Sequence, residues 1–300
     1  MLKRSVGTVF EEIKQKSKKN GQYDPAYAAH RAYTKRKYSK YQGMKIVGDP
    51  ALKTFVDAAL REGRSPESIA GRLKHRVKEL QYVSKEGIST YLRSVYGRQI
   101  EALRKNLFPA WKRRQKRATT GTLDGRKFID LRPTMANTRR RVGDVEADFI
   151  LSGKHGRGIL LVVADRKTRV AFIQQILVPT IKNMERAFQK IHAQFPEMQT
   201  STTDNDLLFQ QHERLERLLG VPIYFCHAYH SWEKGTVERT NKEIRKYVPK
   251  GSDVSFYSPD FIKKVETRIN DRWMRILKHA SPSEVLAEYR KKKGGGKKVK

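Results

Sequence analysis

GDVEADFILSGKHGRGILLVVADRKTRVAFIQQIL, residues 143–177, is the stretch that decides the fold class. ILLVVAD is a short continuous apolar run of the kind buried inside a sheet, and KTRVAFIQQIL reads as a second strand beside it. In DVEADF, Asp144, Glu146 and Asp148 alternate with Val145, Ala147 and Phe149. On a strand this places three carboxylates on one face and the apolar side chains on the other. Adjacent carboxylates repel unless a cation or water separates them, so that face is either solvated or a metal site.

Working outward, PTIKNMERAFQKIHAQF predicts a helix opened by Pro179, and MQTSTTDN a strand ending in polar residues. LLFQQHERLERLLG predicts an amphipathic helix closed by Gly220, and VPIYFCH another strand. Strands alternating with helices imply an α/β domain over residues 139–250. Asp204 follows a strand at its carboxyl end, where α/β domains place their sites. Glu238 lies in a helix that begins near Trp232 or Glu233; Asn241 and Arg245 share its face, and Arg239, Lys242 and Lys246 flank it. Oxygen ligands from two strands and one helix, set among basic residues, suit two divalent cations that grip a phosphodiester.

The chain carries 64 Lys and Arg against 31 Asp and Glu, a formal net charge of +33. A surplus of that size points to a polyanionic partner, nucleic acid before an anionic membrane. No stretch approaches the roughly 18 consecutive apolar residues of a spanning helix, and MLKRSVGTVFEEIKQKSKK lacks the apolar core of a signal peptide. An intracellular protein is expected. The single Cys226 excludes an internal disulfide framework and a Cys-rich zinc site; with His227 and His230 it offers no paired ligand spacing.

Residues 1 to about 118 read as helical. Ser65 before Pro66 and Glu67, and Ser84 before Lys85 and Glu86, are two helix starts of one kind. The pair fits either a helix-turn-helix whose second helix turns Lys85, Ser89, Thr90 and Arg93 to the major groove, or a structural helical hairpin. RATTGTLDGRKFIDLRPTM reads as a connector, and KKKGGGKKVK as a disordered basic tail.

TDN, then YFCHAYHSWEKGTVERTNKEIRKYVPKGSD, resembles the compound signature of the insertion-sequence-thirty family of bacterial DDE transposases, in which Thr-Asp-Asn-Gly is followed by Ser-Trp-Glu-Arg-Gly and Arg-Tyr-Phe-Pro-Lys-Gly. VGDVEADFI resembles that family's Gly-His-Trp-Glu-Gly-Asp-Leu-Ile, which selects Asp148 over Asp144 as the first ligand. SPESIAGRL and VSKEGISTYL resemble its helix-turn-helix pair, and the likeness runs from about Arg4 to Leu286. Asp206 stands where the family has Gly, Asp144 and Val145 replace His and Trp, and Arg239 replaces Asn. KRSVGTVFEEIK resembles the last helix of the family's N-terminal DNA-binding unit, so a truncated front is expected.

The resemblance implies a ribonuclease-H-like catalytic domain, a mixed sheet flanked by helices, behind an all-α DNA-binding region. The expected bounds are 1–45 for a partial N-terminal unit, 46–118 for the helix-turn-helix domain, 119–138 for a linker, 139–290 for the catalytic domain and 291–300 for the tail. Asp148, Asp204 and Glu238 would hold two Mg2+ or Mn2+ ions, first for hydrolysis of a phosphodiester at the element's end and then for attack of the freed 3′ hydroxyl on target DNA. Trp232, Lys234, Asn241, Arg245 and Lys250 are candidate DNA contacts. The expected partners are double-stranded DNA, both terminal inverted repeats and target, and further copies of the chain on that DNA. No membrane is expected; the place would be the prokaryotic cytoplasm, at the nucleoid. The rivals are a catalytically inactive DNA-binding regulator derived from a transposase and a nuclease that cuts without joining.

Overall fold

The computed structural model describes residues 5–18, 21–39, 44–107, 125–227 and 231–295. The chain divides into two compact units, Met1–Ala70 with Glu79–Leu107, and Gly71–Lys78 with Phe108–Lys300. Among the described residues no helix is long and apolar enough to cross a membrane.

The first unit is helical: α1 Val6–Lys16, α2 Pro25–Ser39, α3 Met44–Val47, α4 Pro50–Arg61, α5 from Pro66, α6 Lys85–Arg93 and α7 Arg98–Leu107. α5 ends at His75, its last turn falling in the second unit. Asp49 caps α4 ahead of Pro50, and Ser84 caps α6 by accepting from the Gly87 N–H, as its sequence predicts. Leu52, Val56 and Leu60 of α4 and Ile88, Tyr91 and Leu92 of α6 are buried. The buried Tyr91 hydroxyl donates to Asp57 Oδ1 at 2.6 Å. On α6 that leaves Lys85 and Arg93 exposed and Ser89 and Thr90 half-buried, so Lys85, Ser89 and Arg93 line one outer face at four-residue spacing. Val6, Val9, Phe10 and Ile13 of α1 remain exposed.

The second unit is built on a five-stranded sheet of order β3-β2-β1-β4-β5, with β1 Asp144–Leu151, β2 Ile159–Asp165, β3 Ala171–Ile176, β4 Thr200–Thr203 and β5 Ile223–Phe225. β1, β2 and β3 pair antiparallel, while β1, β4 and β5 run parallel. A mixed sheet flanked by helices is the architecture expected for this part of the chain. The helices of this unit are α8 Thr134–Asn137, α9 Ile181–Gln194, α10 His212–Leu219, α11 Gly235–Ile244, α12 Pro259–Asn270 and α13 Pro282–Gly295. One sheet face, with Val145, Ala147, Leu161 and Val163, packs on Phe188 and Ile191 of α9 and Leu215 of α10. The other, with Ile150, Leu160 and Val162, packs on Val237 and Ile244 of α11 and Ile262 and Val265 of α12.

Several local expectations change. Thr180, not Pro179, opens α9: its hydroxyl accepts from the Asn183 N–H, and the proline immediately precedes this cap, outside the helix. Gly220 does close α10, at φ +64°. The described part of the connector is structured: the Lys127 carbonyl accepts from the Phe225 N–H, and Ala136 and Arg132 are buried. α13 runs through Gly295, so the first residues assigned to the tail continue a helix. The remainder of the tail, and residues 108–124 ahead of and at the start of the connector, lie outside the described residues.

β1 is central and enters the sheet through Gly143 at φ +105°; a Cβ there would meet the Glu197 carbonyl oxygen at 1.9 Å. Both conformation and space exclude a side chain. Gly143→Ala is expected to cost about 2 kcal/mol or more in urea unfolding. Gly235→Ala, at an open position of α11 with nothing within 4 Å, should change stability by no more than about 1 kcal/mol. Equal effects would refute the backbone argument.

Candidate active site

Strand register brings the first two acidic candidates together. Asp144 is paired with Thr200 and Glu146 with Thr202 across parallel β1 and β4. Two residues further along each chain stand Asp148 and Asp204, side by side where β4 has just ended. Both meet the same ammonium: Lys234 Nζ lies 3.0 Å from Asp148 Oδ1 and 3.1 Å from Asp204 Oδ2. Asn241 Nδ2 donates to the other Asp148 oxygen at 2.6 Å.

The loop carrying Asp204 is pinned by Asn205, which donates to the Cys226 carbonyl at 3.1 Å and accepts from Arg126. Asp206 accepts from the Leu208 N–H at 2.9 Å and caps the 3-10 turn Leu207–Phe209. The residue that departs from the family's Gly is therefore a cap.

Burial pushes the Asp148 carboxyl above the ordinary carboxylate range and the Asp204 charge adds to this, against the pull of Lys234. Burial pushes the Lys234 ammonium down, yet the two carboxylates outweigh it and hold the group above its usual value. Glu238 stands half-buried in the first turn of α11 and takes no hydrogen bond or ion pair among the described residues. No three His, Cys, Asp or Glu side chains converge tightly enough to hold a metal among the described residues. The structure brings Asp148 and Asp204 together and leaves Glu238 outside the pair.

The donors fit a hard divalent cation in kind. They are oxygens, and Asp204 Oδ1 and Asn241 Oδ1 are enclosed acceptors without a hydrogen-bond donor among the described residues.

The rest of the acidic face is neither solvated nor a metal site. Asp144 is fully buried and accepts from Arg141 Nε and Nη2 at 2.9 Å and from Thr200 Oγ1 at 2.8 Å. Glu146, also fully buried, accepts the Thr236 and Val237 N–H groups at 2.7 and 2.9 Å with Oε2. Its other oxygen lies 3.0 Å from Arg166 Nε. Burial lowers the pKa of the Arg166 guanidinium, and the Glu146 charge opposes that shift. Alternation gave the shared face correctly, but β1 is covered by α11, so these two carboxylates are internal struts.

The helix expected near Trp232 or Glu233 begins as a 3-10 turn, Ser231–Lys234, and becomes α-helical at Gly235. Of the candidate DNA contacts beside the site, Lys234 is 5% exposed and turned inward onto the two carboxylates. Asn241 is engaged with Asp148, and Arg245 donates to the Pro249 and Leu151 carbonyls at 3.2 and 3.1 Å. Lys250 is exposed, and the Trp232 side chain lies outside the described residues. Sequence reasoning missed Glu146 and Arg166 as struts and Lys234 as a partner of the carboxylates. The available signal was the spacing of Lys234 one turn before Glu238.

A transposase for insertion sequence element IS4351 from Bacteroides fragilis is 34% identical over 285 residues, 92% of this chain and 85% of that protein. The chain belongs to the insertion-sequence transposases. The transposase is also 28% identical to that of element IS1086 from Cupriavidus metallidurans, over 96% of this chain and 87% of the relative. InsI of element IS30A from Escherichia coli K12 is 27% identical over 95% of this chain and 76% of its own length, which bears out the resemblance to the insertion-sequence-thirty family. No family model matches the transposase. Among solved structures, the catalytic core domain of BIV integrase aligns over 50% of this chain and 97% of its own, at 17% identity and a TM-score of 0.41.

In the transposase, removing the Glu146 carboxylate would leave Arg166 and the first N–H groups of α11 buried without their acceptor. Glu146→Ala is expected to cost about 3–5 kcal/mol in urea unfolding, and Glu146→Gln clearly less. A loss under about 1 kcal/mol for Glu146→Ala would rule out the strut.

Proposed function

We propose that this transposase cleaves and joins DNA at the ends of its element with Asp148, Asp204 and Glu238 as metal ligands. The observation that carries the reading is the meeting of Asp148 and Asp204 on Lys234, each delivered by its own strand, next to the helix whose first turn holds Glu238. Bound there, magnesium or manganese would supply Lewis acidity to the attacking oxygen and the scissile phosphate. Two ions per site are proposed, since hydrolysis and joining each involve an attacking and a leaving oxygen.

The chain's own residues prepare that chemistry. The Asp148 and Asp204 carboxylates present oxygens to a cation, and Asn241 fixes the orientation of Asp148 through its amide N–H. Glu238, without a partner among the described residues, is available as the third ligand. The exposed Lys250 and the surplus of Lys and Arg draw in the polyanion. The outer face of α6, with Lys85, Ser89 and Arg93, is proposed to read sequence within the element end, with Thr90 beside it. Assembly of several copies on DNA, at the nucleoid in the cytoplasm, completes the proposal.

Asp148→Asn, Asp204→Asn and Glu238→Gln each keep shape and remove a ligand charge. Each is expected to abolish Mg2+- or Mn2+-dependent cleavage and joining of element-end DNA while leaving binding in EDTA equal or slightly tighter. Asp206→Asn, at a turn cap, should retain most activity. Cleavage surviving Glu238→Gln would remove that residue from the ligand set, and binding without any metal-dependent cleavage by the unaltered chain would favour a regulator.

Replacing Lys85 and Arg93 together by Ala is expected to narrow the affinity gap between element-end and random DNA in a gel-shift titration. An unchanged gap would reduce α6 to packing or backbone grip.

A further inference from the structure

A lysine ammonium between two carboxylates occupies the oxygens that a metal ion would need. Lys234 Nζ is 3.0 Å from Asp148 and 3.1 Å from Asp204, and the residue is 5% exposed. It closes the 3-10 turn immediately before α11, so it reaches the pair from the segment that also carries Glu238. One positive charge against two negative ones leaves the cluster short of neutrality. Asp204 Oδ1 and Asn241 Oδ1, enclosed and without a donor among the described residues, leave it short of hydrogen bonds too. A divalent cation carries twice the charge and takes about six oxygen ligands, whereas an ammonium offers three donors.

We propose that Lys234 is an internal counter-cation that holds Asp148 and Asp204 together before metal arrives and competes with divalent cations for the same oxygens. The proposal rests on the reading of those two residues as metal ligands. Loading is then an exchange of cations: the ammonium gives up its two carboxylates, and its flexible four-carbon stem swings the charge elsewhere in the site. The exchange weakens metal binding to the free protein. In return, the metal-free site presents DNA with a partly neutralised cluster rather than two bare carboxylates, so the polyanion can dock before the ions do.

The experiment is Mn2+ titration of the full chain without DNA, by calorimetry, for the unaltered protein, Lys234→Met and Lys234→Arg. Lys234→Met is expected to bind Mn2+ roughly tenfold tighter or more, with Lys234→Arg close to the unaltered protein. A second readout uses only the unaltered chain, so it holds even if Lys234→Met fails to fold. Amine acylation followed by mass spectrometry should find Lys234 protected in EDTA and reactive in saturating Mn2+. Equal Mn2+ affinities for the unaltered chain and Lys234→Met, or a Lys234 equally protected with and without bound Mn2+, would overturn the exchange while leaving the ligand reading intact. Absence of Mn2+ binding in every variant would instead overturn the ligand reading itself, and the exchange with it.

Discussion

The Glu146 carboxylate, fully buried in the central strand, is the interaction on which the site depends. It accepts the N–H groups of Thr236 and Val237, which lie in the first turn of α11, where N–H groups have no partner within the α-helix itself. A negative charge there also meets the positive end of the helix dipole. The carboxylate is thus held by two N–H donors and Arg166. An unpaired buried charge would be far costlier than this arrangement, which fixes where α11 begins relative to β1. Lys234, Glu238 and Asn241 stand just before or within that helix, so their approach to Asp148, two residues along β1 from Glu146, follows from one buried contact.

The same logic recurs through the second unit and explains how a chain of net charge +33 uses its acids. Asp144 pairs with Arg141, Glu197 with Arg290, Glu216 with Lys127, and Glu243 with Arg272 and Lys246. These acids are spent on internal fastening, several of them buried or half-buried. The surplus Lys and Arg are left for a polyanion. Glu238, half-buried and without such a partner among the described residues, is the exception that a structural role does not account for.

Much of this was legible in the sequence because it depends on period and spacing. The run of β2, the alternation in β1, the capping serine of α6 and the closing glycine of α10 are local signals, and each produced the expected element. Asp148 and Asp204 were singled out from strand ends and a family signature, and the strands do bring them together. The roles of Asp144 and Glu146 were not legible, since alternation tells which side chains share a face but not that α11 would cover it. The partners of Lys234 were not legible for a related reason. A lysine in a basic, polar segment looks like surface, and only the convergence of two strands shows that carboxylates await it. Thr180 in place of Pro179 as the start of α9 is a smaller case, a proline that precedes a capped helix instead of opening it.

Asp148 and Asp204 also show how the fold handles a conflict built into such a site. Bringing two carboxylates together raises the cost of ionising either, and the upward push on Asp148 from burial and from Asp204 records that cost. A fully solvated pair would be relieved of that cost by water. Here the relief is a covalently tethered cation from the turn before α11, which stays charged because the two carboxylates outweigh its own burial. Asp148 and the lysine are therefore mutually dependent: the burial of each is offset by the charge of the other, with the more open Asp204 adding to the hold on Lys234. A cluster stabilised in that reciprocal way can keep its geometry without metal, and on the proposed reading its remaining negative charge would favour an incoming divalent cation over the single ammonium.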